Sequence, residues 1–160
     1  MRDNKPVYYW DTCIFIAWIK NEQLPNAEMN GVFEIADKIQ SNRAILITSQ
    51  LLTVELLPCK MPPHAMDLIE RFFKRKNAQK KAVDGRVTQL AQKIRNEHPK
   101  VSPNDAIHLA TAIHYEVDQF HTFDDGGKDG SSILSLNGRI GDPPLVICKP
   151  PFTQYRLSGI

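Results

Sequence analysis

The sequence predicts a single α/β domain: a central, mainly parallel sheet of four to five strands flanked by helices. Three observations predict it. Val7-Tyr8-Tyr9-Trp10 is a continuous apolar run, the pattern of a strand covered on both faces. Runs of this kind alternate along the chain with segments of helical periodicity. The length, 160 residues of which 42% are hydrophobic, suits one buried core. That core spans about residues 7–150, leaving a short tail at 151–160.

Asp11 ends the first strand. It therefore stands at the strand's carboxyl end, the edge where open α/β sheets bind ligands; a turn or a helix cap would use an Asp there too. Ile14, Ala17 and Trp18 continue as a short helix that stops near Lys20, and a loop with Pro25 follows over Asn21 to Asn26. Met29, Val32, Phe33, Ala36 and Ile39 recur at helical spacing, with Gly31 inside as a weak point. Ala44 to Thr48 is a second apolar strand. Ser49 is suited to cap a helix over Gln50 to Leu57, which Pro58 ends. Pro62-Pro63 opens a helix with Ala65, Met66, Ile69, Phe72 and Phe73 on one face.

Gln79 to Val83 is read as a short edge strand. Asp84 caps a helix that turns Val87, Leu90, Ala91 and Ile94 inward, and Pro99 lies past its end. Ser102-Pro103-Asn104-Asp105 is a helix start: cap, Pro at the first position, and an acid three residues after the cap. This helix reaches about Val117. Gln119 to Thr122 is a short strand leading into Phe123-Asp124-Asp125-Gly126-Gly127, and a polar loop follows over 126–132. Leu145 to Cys148 is the last strand, and Pro150-Pro151 closes the fold.

Composition removes several classes. A net charge of +2 leans only weakly toward polyanions. Cys13, Cys59 and Cys148 lack the spacing of a metal site and fit reduced thiols in a cytoplasm. No signal peptide is read at the N-terminus, and no window approaches the ~18 apolar residues of a membrane helix. A cytoplasmic protein without membrane contact is expected.

Four carboxylates carry the chemistry. Glu55 lies in Leu51-Leu52-Thr53-Val54-Glu55-Leu56-Leu57, central in an apolar arc at about 100° per residue. A lone charge there is costly unless it is paired or holds a metal. Asp105 borders the face formed by Ala106, Leu109, Ala110 and Ile113, although capping alone would explain it. Asp124, with Asp125 beside it, follows a strand in good turn composition. Like charges gathered at one sheet edge repel unless a cation neutralises them. Oxygen donors favour Mg²⁺ or Mn²⁺ over zinc. The histidines show no zinc-binding pattern, and His108 is assigned to the surface, where it could still meet a phosphate.

Asp11-Thr12 after a strand, Glu55 in the helix after the second strand, Asp105 in Ser-Pro-Asn-Asp-Ala-Ile-His-Leu-Ala-Thr-Ala and Thr122-Phe123-Asp124 together resemble the PIN-domain ribonucleases. The likeness covers about residues 7–150 and is nearest to the small VapC-like toxins of toxin–antitoxin pairs. It implies a three-layer sandwich. It also implies that Asp11, Glu55, Asp105 and Asp124 are the catalytic, metal-holding acids of a Mg²⁺- or Mn²⁺-dependent endoribonuclease. Thr12 and Thr122 would support them, with Asn104 and Asp125 nearby. Cys13 departs from the pattern, which often has a polar residue at that place. The resemblance further implies a homodimer and a cognate antitoxin. Other readings are a non-catalytic binding module on the same fold, and a nuclease of RNA processing without an antitoxin. An aspartyl-phosphate phosphatase would want a carboxylate where Cys13 stands.

Two surface features complete the reading. Arg71, Lys74, Arg75, Lys76, Lys80 and Lys81 form a basic run suited to guiding RNA; a solvated helix end would also carry such charges. Ile14, Phe15, Trp18, Ile19, Val32, Phe33, Leu51, Leu52, Leu56 and Leu57 exceed what a small sheet needs to cover it, so part of this set is expected at an interface.

Overall fold

The computed structural model describes residues 4–21, 24, 27–126 and 132–153. Most of the expected 21–26 loop, Gly127 with most of the polar loop after it, and the end of the tail lie outside the described residues.

Five parallel strands form one sheet in the order β3-β2-β1-β4-β5: β1 Val7–Trp10, β2 Ile45–Ser49, β3 Ala78–Lys81, β4 Gln119–His121 and β5 Ile147–Cys148. The central strand is the most apolar, and all four of its residues are buried. Its alternating side chains divide the core in two. Tyr8 and Trp10 pack with α1 (Thr12–Lys20), α2 (Glu28–Gln40) and α4 (Ala65–Phe73). Val7 and Tyr9 pack with α5 (Gly85–Glu97) and α6 (Pro103–His114) on the other face. A helical layer on each face of the sheet makes a three-layer sandwich.

The edge strand β3 is present but spans Ala78–Lys81, ending two residues before the expected Val83, and α3 is shorter than predicted, Leu51–Glu55. Leu56 is already extended (φ −74°, ψ 127°), and Leu57, immediately before Pro58, is barred from helical geometry. Ser49 closes β2 rather than starting the helix, yet its Oγ still accepts a hydrogen bond from Leu51 N at 3.1 Å. The other starts follow their capping chemistry: Asp84 accepts from Arg86 N and Val87 N, and Ser102 accepts from Asp105 N. The helix expected to reach Val117 stops at His114, and Glu116 takes a left-handed φ of 53°.

Gly31 is required by packing. A Cβ there would lie 1.9 Å from the Pro150 carbonyl oxygen. The segment after β5 crosses α2 at this point. It is held by Lys149 to Glu28 at 2.6 Å and by Thr153 to Glu34 at 2.7 Å.

Most of the apolar surplus is core. Ile14, Phe15, Ile19, Val32, Leu52 and Leu56 are buried, and Trp18 and Leu51 are partly so. Phe33 (43% exposed), Leu57 (49%) and Val54 (75%) remain at the surface. Val54 therefore departs from the apolar arc read around Glu55. Among the described residues no helix is long and apolar enough to cross a membrane.

Candidate active site

Asp11 follows β1 directly and caps α1. Its Oδ1 accepts from Thr12 N at 2.8 Å and its Oδ2 from the Thr122 hydroxyl at 2.9 Å. Thr122 immediately follows β4, so the pairing of the two central strands delivers both residues to one edge. Capping and site geometry are thus the same arrangement: the carboxylate is held from both sides, and it is only 8% exposed. The Cys13 thiol lies 3.6 Å from both Asp11 Oδ2 and Thr122 Oγ1. Burial, then the charge of Asp11, pushes that thiol up to about 12, so it stays protonated and unreactive at neutral pH.

Glu55 reaches the same place from α3. Its Oε1 accepts from the Thr12 hydroxyl at 2.8 Å and makes a very short contact with His108 Nε2. His108 is fully buried, which corrects its assignment to the surface. It lies one turn after Asp105 and faces the site, with Nε2 4.0 Å from Asp11 Oδ1. Its other nitrogen, Nδ1, meets the Tyr9 hydroxyl at 2.5 Å. Burial holds the Tyr9 phenol well above its usual range, so it keeps its proton and donates to Nδ1. That leaves Nε2–H to donate to Glu55. Burial would raise the Glu55 carboxyl, but the hydrogen bond from His108, with help from those of Thr12 and Asn104, outweighs it and holds it low. Glu55 is therefore an anion fixed by the core beneath it.

Asp105 behaves in the opposite way. Burial first, then the charges of Asp11 and Asp124, raise its carboxyl against the opposing hydrogen bond from Ser102. Asp105 thus feels the charge of both Asp11 and Asp124. Asp124 follows Thr122, whose hydroxyl accepts from Asp124 N at 3.1 Å. Its own Oδ1 accepts from Gly126 N at 2.9 Å, so it turns the chain and faces the site at once. Asp125 is exposed beside it.

All the acids offer hard oxygen donors, which suit Mg²⁺ or Mn²⁺, and a cation would relieve the repulsion that adds to the effect of burial on Asp105. Among the described residues no three His, Cys, Asp or Glu side chains stand as a ready coordination shell. The donor chemistry, hard carboxylate oxygens, is of the type that suits a divalent ion.

The basic run is divided by the sheet. Arg75 bonds the Gln40 carbonyl at the end of α2, and residues 74–77 precede β3, so this part lies at the amino edge. Lys80 and Lys81 end β3 at the carboxyl edge, with Lys80 Nζ 3.4 Å from Thr53 of α3.

Comparison with protein families matches residues 8–129 to the PIN domain. The chain belongs to the PIN domain family. The match takes in Asp11, Glu55, Asp105 and Asp124. Among curated proteins, none matches significantly. Among the solved structures that match are two of similar fold. One is a chain of VapBC2 from Rickettsia felis, crystallised with a DNA fragment from their promoter, at a TM-score of 0.58 and 14% identity over 89% of this chain and 97% of that one. The other is VapC20 of Mycobacterium tuberculosis, described as a sarcin–ricin loop cleaving toxin, at 0.53 and 14% over 79% and 96%.

Proposed function

We propose that this PIN domain is an endoribonuclease dependent on Mg²⁺ or Mn²⁺, and that it is the toxin of a toxin–antitoxin pair. The observation that carries the reading is that Thr12 and Thr122 hold Glu55 and Asp11 at one sheet edge, beside an Asp105 whose carboxyl is raised first by burial and then by the charges of Asp11 and Asp124. A protein gains nothing from gathering such charges unless a cation joins them. The sarcin–ricin loop named for VapC20 supports RNA as the substrate class.

Asp11, Glu55, Asp105 and Asp124 would hold the metal. When bound, it supplies Lewis acidity for water activation and for the leaving 3′ oxygen. Around it Thr12 fixes Glu55 and Thr122 fixes Asp11, so the two carboxylates keep their orientation without substrate. His108 holds Glu55 from below and keeps it ionised. Asn104 adds a hydrogen bond to Glu55, and Asp125 adjoins Asp124 in the chain. No side-chain nucleophile is required, and the products carry 5′ phosphate and 3′ hydroxyl.

Labelled RNAs of several classes, incubated with the full chain and Mg²⁺ or Mn²⁺, test the reading. Cleavage abolished by EDTA and by Asp11→Asn is expected, with the variant folded and its metal-free melting temperature unchanged or higher. No cleavage of any RNA with either metal overturns it. An antitoxin is expected to cover the exposed Val54 and Leu57 beside Glu55, and expression without it should arrest growth. A homodimer is also proposed; light scattering that finds only monomer across a dilution series would remove it.

A further inference from the structure

A cleft of about 320 Å³ opens directly off the acidic site, with Asp105 and Asp124 on its inner wall. One side is the turn between α5 and α6, and the other is the short helix after Asp124. Its volume is at the lower end of small-ligand sites, room for one nucleotide and too little for a duplex. The floor is apolar: Val101, Ile133 and Leu136, the last two buried. The rim carries Lys100 and Arg139, both exposed, with His98 between floor and solvent and Glu97 as the one acid of the rim. Among the described residues neither Lys100 nor Arg139 enters an ion pair.

The walls are tied to the site. Ser132 Oγ donates to the Asp124 carbonyl at 3.0 Å, and Leu134 N donates to the same oxygen at 3.2 Å. On the facing wall Arg95 Nε donates to the Val101 carbonyl at 3.1 Å, fixing the turn to α5. An apolar floor takes a base, a cationic rim takes phosphates, and His and Arg planes stack with unpaired bases. The acids alone would repel a polyanion; this rim is the positive ground next to them.

We infer that the cleft is the subsite for one unpaired nucleotide of RNA beside the scissile phosphate, and that it sets which nucleotide is accepted next to the cut. This rests on the nuclease reading. A short fluorescent single-stranded oligoribonucleotide of mixed sequence, bound in EDTA so that nothing is cut, probes the cleft separately from catalysis. Lys100→Glu with Arg139→Glu should weaken its binding at least tenfold and reduce the salt slope by about two. Ser135→Trp, which fills the cleft from its exposed wall, should alter the nucleotide preference beside the cut in a randomised RNA pool, at an unchanged melting temperature. Cleft-dependent binding without any cleavage sinks the nuclease reading and keeps the subsite. Equal affinity and salt slope in wild type and charge-reversed protein overturn the subsite, whether or not RNA is cut, and leave a peptide as the occupant to seek.

Discussion

His108 shows how the site is held at the scale of one residue. Its imidazole links the buried Tyr9 hydroxyl to the Glu55 carboxylate, so a core strand orients an acid at the surface. Asp11 stands out in the sequence because it ends an apolar strand at the edge where α/β sheets bind ligands, and Glu55 because a carboxylate among apolar neighbours is costly without a partner. His108 was legible only in hindsight of geometry. It stands three residues after Asp105, on the same helical face, but its partners, Tyr9 of β1 and Glu55 of α3, are distant in sequence and do not show in local periodicity. Its substitution by Leu should leave the Tyr9 hydroxyl without its acceptor and remove one of the donors to Glu55. A loss of about 1–3 kcal/mol of stability is expected from one buried unsatisfied group. His108→Gln, which keeps a donor toward Glu55, should recover part of the cleavage rate. Denaturant melts and single-turnover cleavage of both variants check this. Equal activity of the Leu variant and wild type would remove His108 from the site.

Among the elements, the strand order and the caps follow local chemistry, and the lengths do not. The last strand shrinks to Ile147–Cys148 and α3 to Leu51–Glu55, because pairing and prolines, not apolar content, set where they stop. Gly31, by propensity a weak point of α2, is instead the contact that admits the segment at Pro150. Glycine costs a helix interior about 1 kcal/mol relative to alanine, so Gly31→Ala in an open helix would stabilise. Here overpacking should reverse the sign and destabilise by about 1–3 kcal/mol. Hydrogen exchange should speed at residues 149–153 while β1 stays protected; a stabilised variant would mean that the segment does not lie on α2 in solution. In β4, His121 is fully buried, and burial lowers it to about 3. The native state keeps it neutral, whereas the unfolded chain binds its proton near pH 6.5. Stability contributed by neutral His121 is thus present above about pH 6.5 and lost as pH falls toward 3. Replacing it with Phe should flatten the fall of melting temperature between pH 7 and about 4, once the loss common to other groups is subtracted. An identical pH profile in the two proteins would show that His121 has no such role.

At the scale of the whole molecule, parallel strand order decides what the basic run can do. The sequence presents Arg71, Lys74, Arg75, Lys76, Lys80 and Lys81 as one uninterrupted patch, and nothing local separates them. The sheet does, because β3 runs parallel to β1 and places its start and its end at opposite edges. Arg75 is engaged with the end of α2 at the amino edge, while Lys80 reaches Thr53 of the helix that carries Glu55. Exposed charges beyond a Debye length of about 8 Å at physiological salt are largely screened. An RNA strand lying across the carboxyl edge should therefore feel Lys80 and Lys81 strongly and Lys74 and Arg75 weakly. Charge reversal at Lys80 and Lys81 should cut RNA affinity several-fold more than reversal at Lys74 and Arg75, and the gap should narrow as salt is lowered. Lys80 and Lys81 also sit over the Phe73 and Tyr115 rings, at 5.1 Å and 4.8 Å. Cation–π contacts of this kind contribute about 0.5–1 kcal/mol at exposed sites, so the melting temperature of each variant must be followed alongside its affinity. Affinity loss of equal size from both pairs, in proteins of equal melting temperature, would mean that the strand wraps the amino edge as well and that the carboxyl edge alone does not define the RNA path.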